Sequence, residues 1–176
     1  MQRYFIRNEQ INMDQAYIDG SDYHHIRNVM RMKTGEKIYI CDEEENAYLA
    51  EITAFGDTRV FLKVLEKIRY QAELDVRVTI ALGLTKKEKQ EEVLRRITEL
   101  GASGYLTVVM ERSVFRIKDE FPPERWGRIV KEAAEQSHRH RLLTLFGNLS
   151  FSKFLEHAKD YDLRLFAYEE RKGDSS

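Results

Sequence analysis

The stretch Val76–Met110, with the sequence VRVTIALGLTKKEKQEEVLRRITELGASGYLTVVM, decides the fold class. Its opening residues, Val76–Leu84, are rich in β-branched residues and end in a nearly continuous apolar run, which is typical of a strand buried on both faces. Tyr105–Met110 is a second strand of this kind. Between the strands, apolar residues recur at helical spacing and form one stripe: Val93, Leu94, Ile97 and Leu100. Strand, helix and strand in this order predict a parallel sheet.

The boundaries of this helix are also readable from the sequence. Thr85 and Glu88 have the spacing of a capping box, in which each side chain accepts a hydrogen bond from a free backbone N–H group. Gly101 offers a C-terminal stop. We therefore expect the helix to begin directly after the first buried strand and to end before the second.

The same alternation continues toward the C-terminus. Pro122 and Pro123 can open a second helix, and Leu142–Phe146 reads as a strand. Ser150–Tyr161 reads as a helix and Leu163–Tyr168 as a fourth strand. The second helix has its apolar residues at spacings of three and four: Trp126, Ile129, Val130, Ala133 and Ala134. Because only the polar EERKGDSS follows the fourth strand, we expect the α/β sheet to be incomplete in this chain.

The first part of the chain has a different character, that of short strands divided by turn-forming residues. One helix, Ser21–Met32, is predicted among them, with its apolar residues Tyr23, Ile26, Val29 and Met30 at helical spacing. Closure into a small barrel would remove exposed strand edges. The predicted strands are Arg3–Ile6, Lys37–Cys41, Ala47–Phe55 and Arg59–Leu65. The polar stretch Glu66–Asp75 is the predicted seam between two domains, residues 1–70 and 75–176.

Composition excludes several classes of protein. The chain has 176 residues, of which 42% are hydrophobic and 34% charged, and it carries a net charge of −1. No apolar run approaches the length of a membrane span, and the N-terminus does not resemble a secretory signal. Cys41 is a single cysteine, so an internal disulfide is excluded and a cytoplasmic location is expected. A nucleic-acid site on such a balanced surface must be a local patch.

Two basic groups are candidates for binding phosphate. The first is the run from His24 to Lys33, in which Arg27 and Arg31 are four residues apart and share a face if the helix continues. An ordinary solvated helix face explains this run as well. The second is Lys86, Lys87 and Lys89 at a helix N-terminus, where lysine opposes the helix dipole and is favoured only if an anion binds. Simple solubilising charge is the alternative. The RNA-binding candidates are His25, Arg27, Arg31, Lys33, Lys86 and Lys89.

Two further clusters are candidates for chemistry. Glu111–Val114 (ERSV) follows the second buried strand, at the sheet edge where α/β domains gather functional groups. A buried Glu–Arg pair that serves structure is the alternative. Glu132–Arg141 (EAAEQSHRHR) ends the second helix, and its spacing suggests that Glu135, Gln136 and Arg139 point the same way. Arg139 also suits a helix C-terminus on purely structural grounds. No nucleophilic triad and no metal site are predicted.

Taken together, these segments resemble the bacterial small-subunit ribosomal RNA (uracil-N3)-methyltransferases. The resemblance runs through nearly the whole chain, in the order RYFI, HHIRNVMRMKTGEKI, AEI, GLTKKEK, ITELGAS, ERSV and EAAEQS. It implies a PUA-like barrel followed by a SPOUT-type α/β domain. It also implies methylation of N3 of a uridine in 16S ribosomal RNA by S-adenosylmethionine, in a homodimer. The residues nearest the target base by resemblance are Arg112, Glu135, Gln136 and Arg139.

The chain departs from this family in two respects. His138 and Leu143 replace a glycine and a proline of the family pattern. The larger departure is the absence of the glycine-rich IGPEGG loop and of the later segment that forms the knot and cradles the methyl donor. We therefore expect the donor site beyond Ser176, with this chain inactive or weakly active alone. A non-catalytic RNA-binding or assembly module is the alternative function.

Overall fold

The structure is a computed structural model that describes residues 1–69, 73–111 and 124–167. Within these ranges two separate β-sheets are present, one of six strands and one of three. Arg112, Ser113, Val114, the Pro122-Pro123 pair and Tyr168 lie outside the described residues. The described part of the chain holds no helix that is both long and apolar enough to cross a bilayer.

The first sheet is a curled half-barrel with the strand order β1-β4-β5-β6-β3-β2. β1 runs parallel to β4, and the other neighbours are antiparallel. The predicted N-terminal barrel is confirmed, although β1 and β2 remain as edges of the sheet. The strands β2 and β3 are not among the predicted ones. The bounds are β1 Arg3–Phe5, β2 Ile11–Asn12, β3 Gln15–Ile18, β4 Lys37–Cys41, β5 Ala47–Phe55 and β6 Val60–Lys67.

Alternation along these strands supplies the core of the half-barrel. In β4, for example, Ile38 and Ile40 are fully buried while Tyr39 between them is half-buried. A period of two places alternate side chains on one face, so a short strand contributes only a few core residues. The core consists of residues from every strand except β2 together with one helix: Tyr4, Ile6, Ala16, Ile18, Ile26, Ile38, Ile40, Ala50, Ile52, Val60 and Leu62.

The helix predicted over Ser21–Met32 is shorter and less regular than expected. It begins at Gly20 as α1 (Gly20–His24) and continues as one wider π-helical turn, His25–Val29. A π turn rotates later residues away from the α-helical stripe, so Val29 is 62% exposed while Ile26 is fully buried. Arg31 lies beyond the helix with a φ of +52°. Arg27 and Arg31 therefore do not share a helix face, and that part of the prediction is wrong.

The second sheet is parallel, with the order β7-β8-β9 and helices between its strands. The predicted α/β class is confirmed. Gly104 in the central strand is needed for close packing, because a Cβ atom there would lie 2.6 Å from both the Phe146 ring and the Thr79 hydroxyl. The bounds are β7 Thr79–Gly83, α2 Lys87–Glu99, β8 Gly104–Val109, α3 Glu124–Gln136, β9 Thr144–Ser150 and α4 Phe151–His157.

Helices α2 and α3 pack together over one face of this sheet. All five apolar residues predicted to face inward from α3 are buried: Trp126, Ile129, Val130, Ala133 and Ala134. In α2, Leu94 is fully buried, but Leu100 follows the helix end and is 76% exposed. Gln90, which the apolar spacing does not include, is also buried and donates to Gly83 O at 3.2 Å. Its side-chain oxygen accepts a hydrogen bond from the Tyr105 hydroxyl.

Two local predictions in this region are wrong. Lys86, not Thr85, is the N-cap of α2, and no side chain caps the helix there. The Thr85 hydroxyl donates to Lys86 O instead. The fourth strand predicted over Leu163–Tyr168 is not formed in its described part, where Leu163 and Leu165 are 73% and 87% exposed. An apolar alternation becomes a strand only where a neighbouring strand supplies its backbone partners.

Candidate functional site

Glu111 and Arg139, which belong to the two clusters predicted as candidates for chemistry, lie at opposite edges of the parallel sheet. Helix α3 runs back from the carboxyl end of β8, so its last turn lies near the amino ends of the strands. Arg139 accordingly donates to Ala102 O, just before β8, at 2.7 Å. Glu111 follows β8 at the other end, where it is exposed. A six-residue strand separates these positions by about 20 Å. Within one chain they do not form a single site.

The predicted common face of Glu135, Gln136 and Arg139 is also not formed. Helix α3 ends at Gln136, and His138 has a φ of +59°. This left-handed conformation reverses the chain, which sends Arg139 back toward the protein interior while Gln136 remains exposed. Glycine adopts this conformation without strain. This explains why the family pattern has a glycine at the position that His138 occupies here.

Arg139 is buried against a carboxylate from the segment that joins the two sheets. Its side chain is 2% exposed, and its Nη2 atom lies 2.6 Å from Glu73 Oε2. Its Nη1 atom donates to Thr98 O at 3.2 Å in addition to Ala102 O. These contacts use the guanidinium within the protein, and they support a role in joining parts of the chain rather than in touching a substrate.

Glu73 is the centre of this network. Besides Arg139, it accepts the backbone N–H groups of His140 at 2.8 Å and Arg141 at 3.1 Å. The Arg141 side chain lies 3.2 Å from the same carboxylate. Burial alone would raise the pKa of Glu73, but the hydrogen bond and charge of Arg139, with the His140 N–H and Arg141, outweigh burial and lower that pKa. Glu73 is therefore held as a carboxylate.

The half-barrel reaches the same turn from the other side. Arg3 Nη1 donates to Arg139 O at 3.1 Å, and the Cys41 thiol lies 3.8 Å from that oxygen. Glu45 lies 3.2 Å from Arg141. We call Arg3, Glu45, Glu73, Arg139 and Arg141 the Glu73 clasp. Sequence reasoning misses its first three members, because they lie far from residue 139 along the chain and carry no local pattern.

A second group of ionisable side chains crosses the same junction, and we call it the Glu135 cluster: Tyr4, Asp22, His25, Lys131 and Glu135. Lys131 Nζ lies 2.5 Å from Asp22 and 3.8 Å from Glu135 Oε1. The Tyr4 hydroxyl and His25 Nδ1 are 3.0 Å apart. Glu135 Oε1 is buried and accepts no hydrogen bond from any described residue. Burial, opposed by Lys131 and reinforced by Asp22 and Glu132, raises the pKa of Glu135 to about 7.

The chemistry open to Glu135 follows from that pKa. A carboxyl group that titrates near neutrality can accept a proton from a weak acid and release it again at physiological pH. Burial and the charges of Asp22 and Glu135 also raise the pKa of the Tyr4 phenol, so Tyr4 stays a neutral hydrogen-bonding group. Within the Glu135 cluster, Glu135 is thus the group suited to proton transfer.

The predicted RNA-binding residues fall into two groups on different parts of the surface. Arg27 Nη1 donates to Gly56 O at 3.0 Å, and Arg31 and Lys33 are exposed nearby in sequence. His25 is half-buried through its contact with Tyr4. Lys86 and Lys89 are exposed at the start of α2, after the carboxyl end of β7, and Lys89 pairs with Glu92 at 3.0 Å.

The two best-defined cavities among the described residues do not lie where a methyl donor is expected. Two surface cavities, of about 420 and 480 Å³, are both lined by residues of the first 69. Neither touches the carboxyl edge of the parallel sheet, where ligands of α/β domains bind. No group of three or more potential metal ligands occurs in the described ranges either.

Comparison with known proteins identifies the family. A family model for an RNA methyltransferase domain matches residues 72–176, and one for an RNA methyltransferase PUA domain matches residues 18–65. The Ribosomal RNA small subunit methyltransferase E of Bacillus subtilis (strain 168) is 36% identical over 97% of this chain and 69% of its own length. That of Synechocystis sp. is 31% identical over 88% of this chain and 50% of its own length.

A solved structure supports the fold. The Ribosomal RNA small subunit methyltransferase E from Neisseria gonorrhoeae, bound to S-adenosyl methionine, matches with a TM-score of 0.77 at 22% identity. That match covers 88% of this chain and 64% of the other. The PUA-like and SPOUT-type interpretation of the two sheets is confirmed. The chain spans about half to about 70% of the length of the relatives described above. By these matches, the chain belongs to the RNA methyltransferase family that contains the ribosomal RNA small subunit methyltransferases E.

Proposed function

We propose that this chain takes part in the methylation of N3 of a uridine in 16S ribosomal RNA, with S-adenosylmethionine as the methyl donor. The observation that carries the proposal is the 36% identity to a named ribosomal RNA small subunit methyltransferase over 97% of the chain. The working form is a homodimer in the cytoplasm, where the small ribosomal subunit is available. Residues 1–70 serve as the RNA-binding domain and residues 75–176 as part of the methyltransferase domain.

RNA binding rests on exposed cations in both parts of the chain. Arg27, Arg31 and Lys33 contact RNA phosphates from the half-barrel, with His25 beside them, while Lys86 and Lys89 do so from the start of α2. Such contacts fix the register of the RNA and do not read its sequence. Removing either group should weaken binding and reduce its dependence on salt concentration.

Catalysis requires that N3 of the uracil loses or shares its proton before it attacks the methyl group. Proton chemistry favours Glu135, because its pKa lies near 7. Arg112 is favoured by its place in the sequence, three residues after β8, because α/β domains bind ligands beyond the carboxyl ends of their strands. The exposed amide of Gln136 is suited to a base edge. Arg139 acts indirectly, by holding the turn that follows these residues.

A chimera tests this proposal. In it, this chain replaces the matching part of the Bacillus subtilis relative, and the remainder of that relative is kept. Transfer of a radiolabelled methyl group from S-adenosylmethionine to 16S ribosomal RNA is then measured as a function of pH. An active chimera supports the proposal. Loss of the inflection near neutral pH in Glu135→Gln would identify Glu135 as the base, and a uniform loss of rate in Arg112→Ala would favour Arg112.

A second candidate function is a non-catalytic RNA-binding or assembly module. The burial of Arg139 against Glu73 favours it, since that guanidinium joins parts of the chain and is not open to a substrate. A chimera that folds and binds 16S ribosomal RNA as tightly as the relative, but transfers no methyl group, would support this function and contradict the first. The chain alone should bind 16S ribosomal RNA under either function.

A further inference from the structure

Aromatic and arginine side chains gather around one tight turn of the half-barrel. The turn lies between β5 and β6, and Gly56 is its centre, with its N–H donating to Arg59 O at 2.8 Å. We call the side chains around it the Gly56 platform: Tyr17, Tyr23, Arg27, Arg59 and Phe61. Arg27 is the only member that the sequence predicts as an RNA contact.

Two of these side chains are fixed on the backbone of the turn itself. The Tyr23 hydroxyl and Arg27 Nη1 both donate to Gly56 O at 3.0 Å. The Arg27 guanidinium also lies over the Tyr23 ring, 5.6 Å from its centroid. Because both donors converge on one carbonyl oxygen, the Tyr23–Arg27 pair is held in place before any ligand arrives.

The other three side chains extend the surface across the neighbouring strands. Arg59 lies over the Tyr17 ring at 4.3 Å from its centroid, and Tyr17 is the cross-strand partner of Phe61. The Phe61 ring packs over Gly56, where an added Cβ atom would lie 3.2 Å from it. Phe61 is nevertheless 44% exposed. Two arginine–tyrosine pairs and the Phe61 ring thus lie around this turn, and Arg27, Arg59 and Phe61 are exposed to solvent.

Phe61 also forms the wall of a cavity of about 420 Å³. The rest of its lining combines two apolar residues, Ala16 and Leu62, with four polar ones: Asp14, Gln15, Thr53 and Lys63. A flat ring beside hydrogen-bonding groups suits a nucleobase, which stacks on one face and offers donors and acceptors at its edge. Asp14 disfavours a phosphate inside the cavity, whereas Lys63, Arg59 and Arg27 favour phosphates around it.

We infer that the Gly56 platform binds an unpaired nucleotide of the RNA, with its base stacked on Phe61 and the Arg59–Tyr17 pair. In a duplex, stacking on the neighbouring base pairs hides the base faces, so the platform selects single-stranded RNA. This inference rests on the proposed function, because it takes RNA as the partner. It adds a site that distinguishes unpaired from paired RNA, which the phosphate contacts alone do not do.

The test uses a short single-stranded RNA that carries 2-aminopurine, whose fluorescence is quenched on stacking, and the same strand in a duplex. We expect quenching with the single strand and weaker binding of the duplex. Phe61→Leu removes the ring but keeps an apolar residue, and should weaken single-strand binding roughly tenfold. Arg59→Lys keeps the charge but loses the planar group, so quenching should fall while the salt dependence stays.

Phe146→Leu is the matched control, since Phe146 is also 44% exposed but lies in β9. It should bind like the wild-type chain. Equal binding by wild type and Phe61→Leu, or equal binding of single strand and duplex, would overturn the inference. If Phe61→Leu bound RNA like the wild-type chain but no longer formed dimers in sedimentation, the Gly56 platform would be assigned to a protein contact instead. If the wild-type chain bound no 16S ribosomal RNA at all, the proposed function itself would fail.

Discussion

Glu73 and Glu135 lie at the same junction between the half-barrel and the α/β part, yet their pKa values are shifted in opposite directions. Both side chains are mostly buried, with exposed fractions of 8% for Glu73 and 24% for Glu135. Glu73 receives two arginine side chains and two backbone N–H groups. Glu135 has Lys131 at 3.8 Å, and that lysine is already paired with Asp22. The pKa of Glu73 is lowered and that of Glu135 is raised.

The difference shows that burial does not by itself decide the charge of a carboxyl group. What decides it is the number of donors that replace the lost water. At the Glu73 clasp, the replacement is complete and the two parts of the chain are held together at neutral pH. At the Glu135 cluster, the replacement is partial and a proton can enter or leave. One junction thus combines a fixed contact with a titrating one.

The largest effect is expected from Glu73→Ala, which removes the carboxylate at the centre of the Glu73 clasp. The substitution leaves Arg139 buried without its carboxylate, and such a loss costs about 3–5 kcal/mol of unfolding free energy. Urea denaturation followed by circular dichroism measures this cost. Glu92→Ala is the control, because Glu92 pairs with Lys89 at the surface, where its side chain is 59% exposed, and its loss should leave the unfolding free energy close to that of wild type. Equal costs for both variants would mean that the clasp contributes nothing beyond a surface ion pair.

A smaller effect of opposite sign is expected from Glu135→Gln. The folded pKa of Glu135, about 7, lies above its unfolded value, so the folded protein keeps a proton that the unfolded chain has released. The stability from this group is present at acidic pH and is lost as pH rises through about 7. Glutamine mimics the protonated form, so the variant should gain on the order of 2 kcal/mol over wild type at about pH 8, and little at about pH 5.

Unfolding free energies of wild type and Glu135→Gln at a series of pH values measure this difference. Glu124→Gln is the control, since it removes an exposed carboxylate from the same helix. Glu73 contributes in the opposite direction, because its lowered pKa gives stability that is lost as pH falls through its folded pKa. A Glu135→Gln variant whose stability follows the wild-type pH profile in parallel would show that Glu135 does not titrate near neutrality.

Much of the fold is readable from the sequence because the relevant signals are local. The period of two in Lys37–Cys41 and the spacing of Trp126, Ile129 and Val130 each lie within a few residues, and the structure agrees with them. The same local reading is wrong where a neighbouring element decides the outcome. The wider turn at His25–Val29 moves Arg31 off the predicted face, and Leu163–Ala167 forms no strand.

The candidate site is less predictable, because its partners are distant in sequence. The sequence predicts Arg139 as a candidate site residue. Its partner Glu73 lies 66 positions away, and nothing in the spacing links the two. The separation of Glu111 from Arg139, in contrast, follows from the order of the elements alone. A helix that connects two parallel strands must run back along the first of them, so its two ends lie at opposite edges of the sheet. The raised pKa of Glu135 needs the positions of Asp22 and Lys131, which no local pattern gives.

The smallest effect is expected from Asp22→Asn, which removes one negative charge from the Glu135 cluster. The charge of Asp22 helps to raise the pKa of Glu135 and also occupies Lys131 at 2.5 Å. Without that charge, Lys131 is released to pair with Glu135, so the loss of one ion pair is largely offset by the gain of another. The net change in unfolding free energy should stay below about 1 kcal/mol.

The pKa of Glu135 responds to this substitution more clearly than stability does. Followed by NMR of the side-chain carboxyl carbon, it should fall below the wild-type value in Asp22→Asn. Asp160→Asn removes a charge from an exposed site elsewhere and should leave that pKa unchanged. If Asp22→Asn left the pKa of Glu135 where it is or raised it, burial alone would set the pKa, and the number of available donors would not explain the contrast with Glu73.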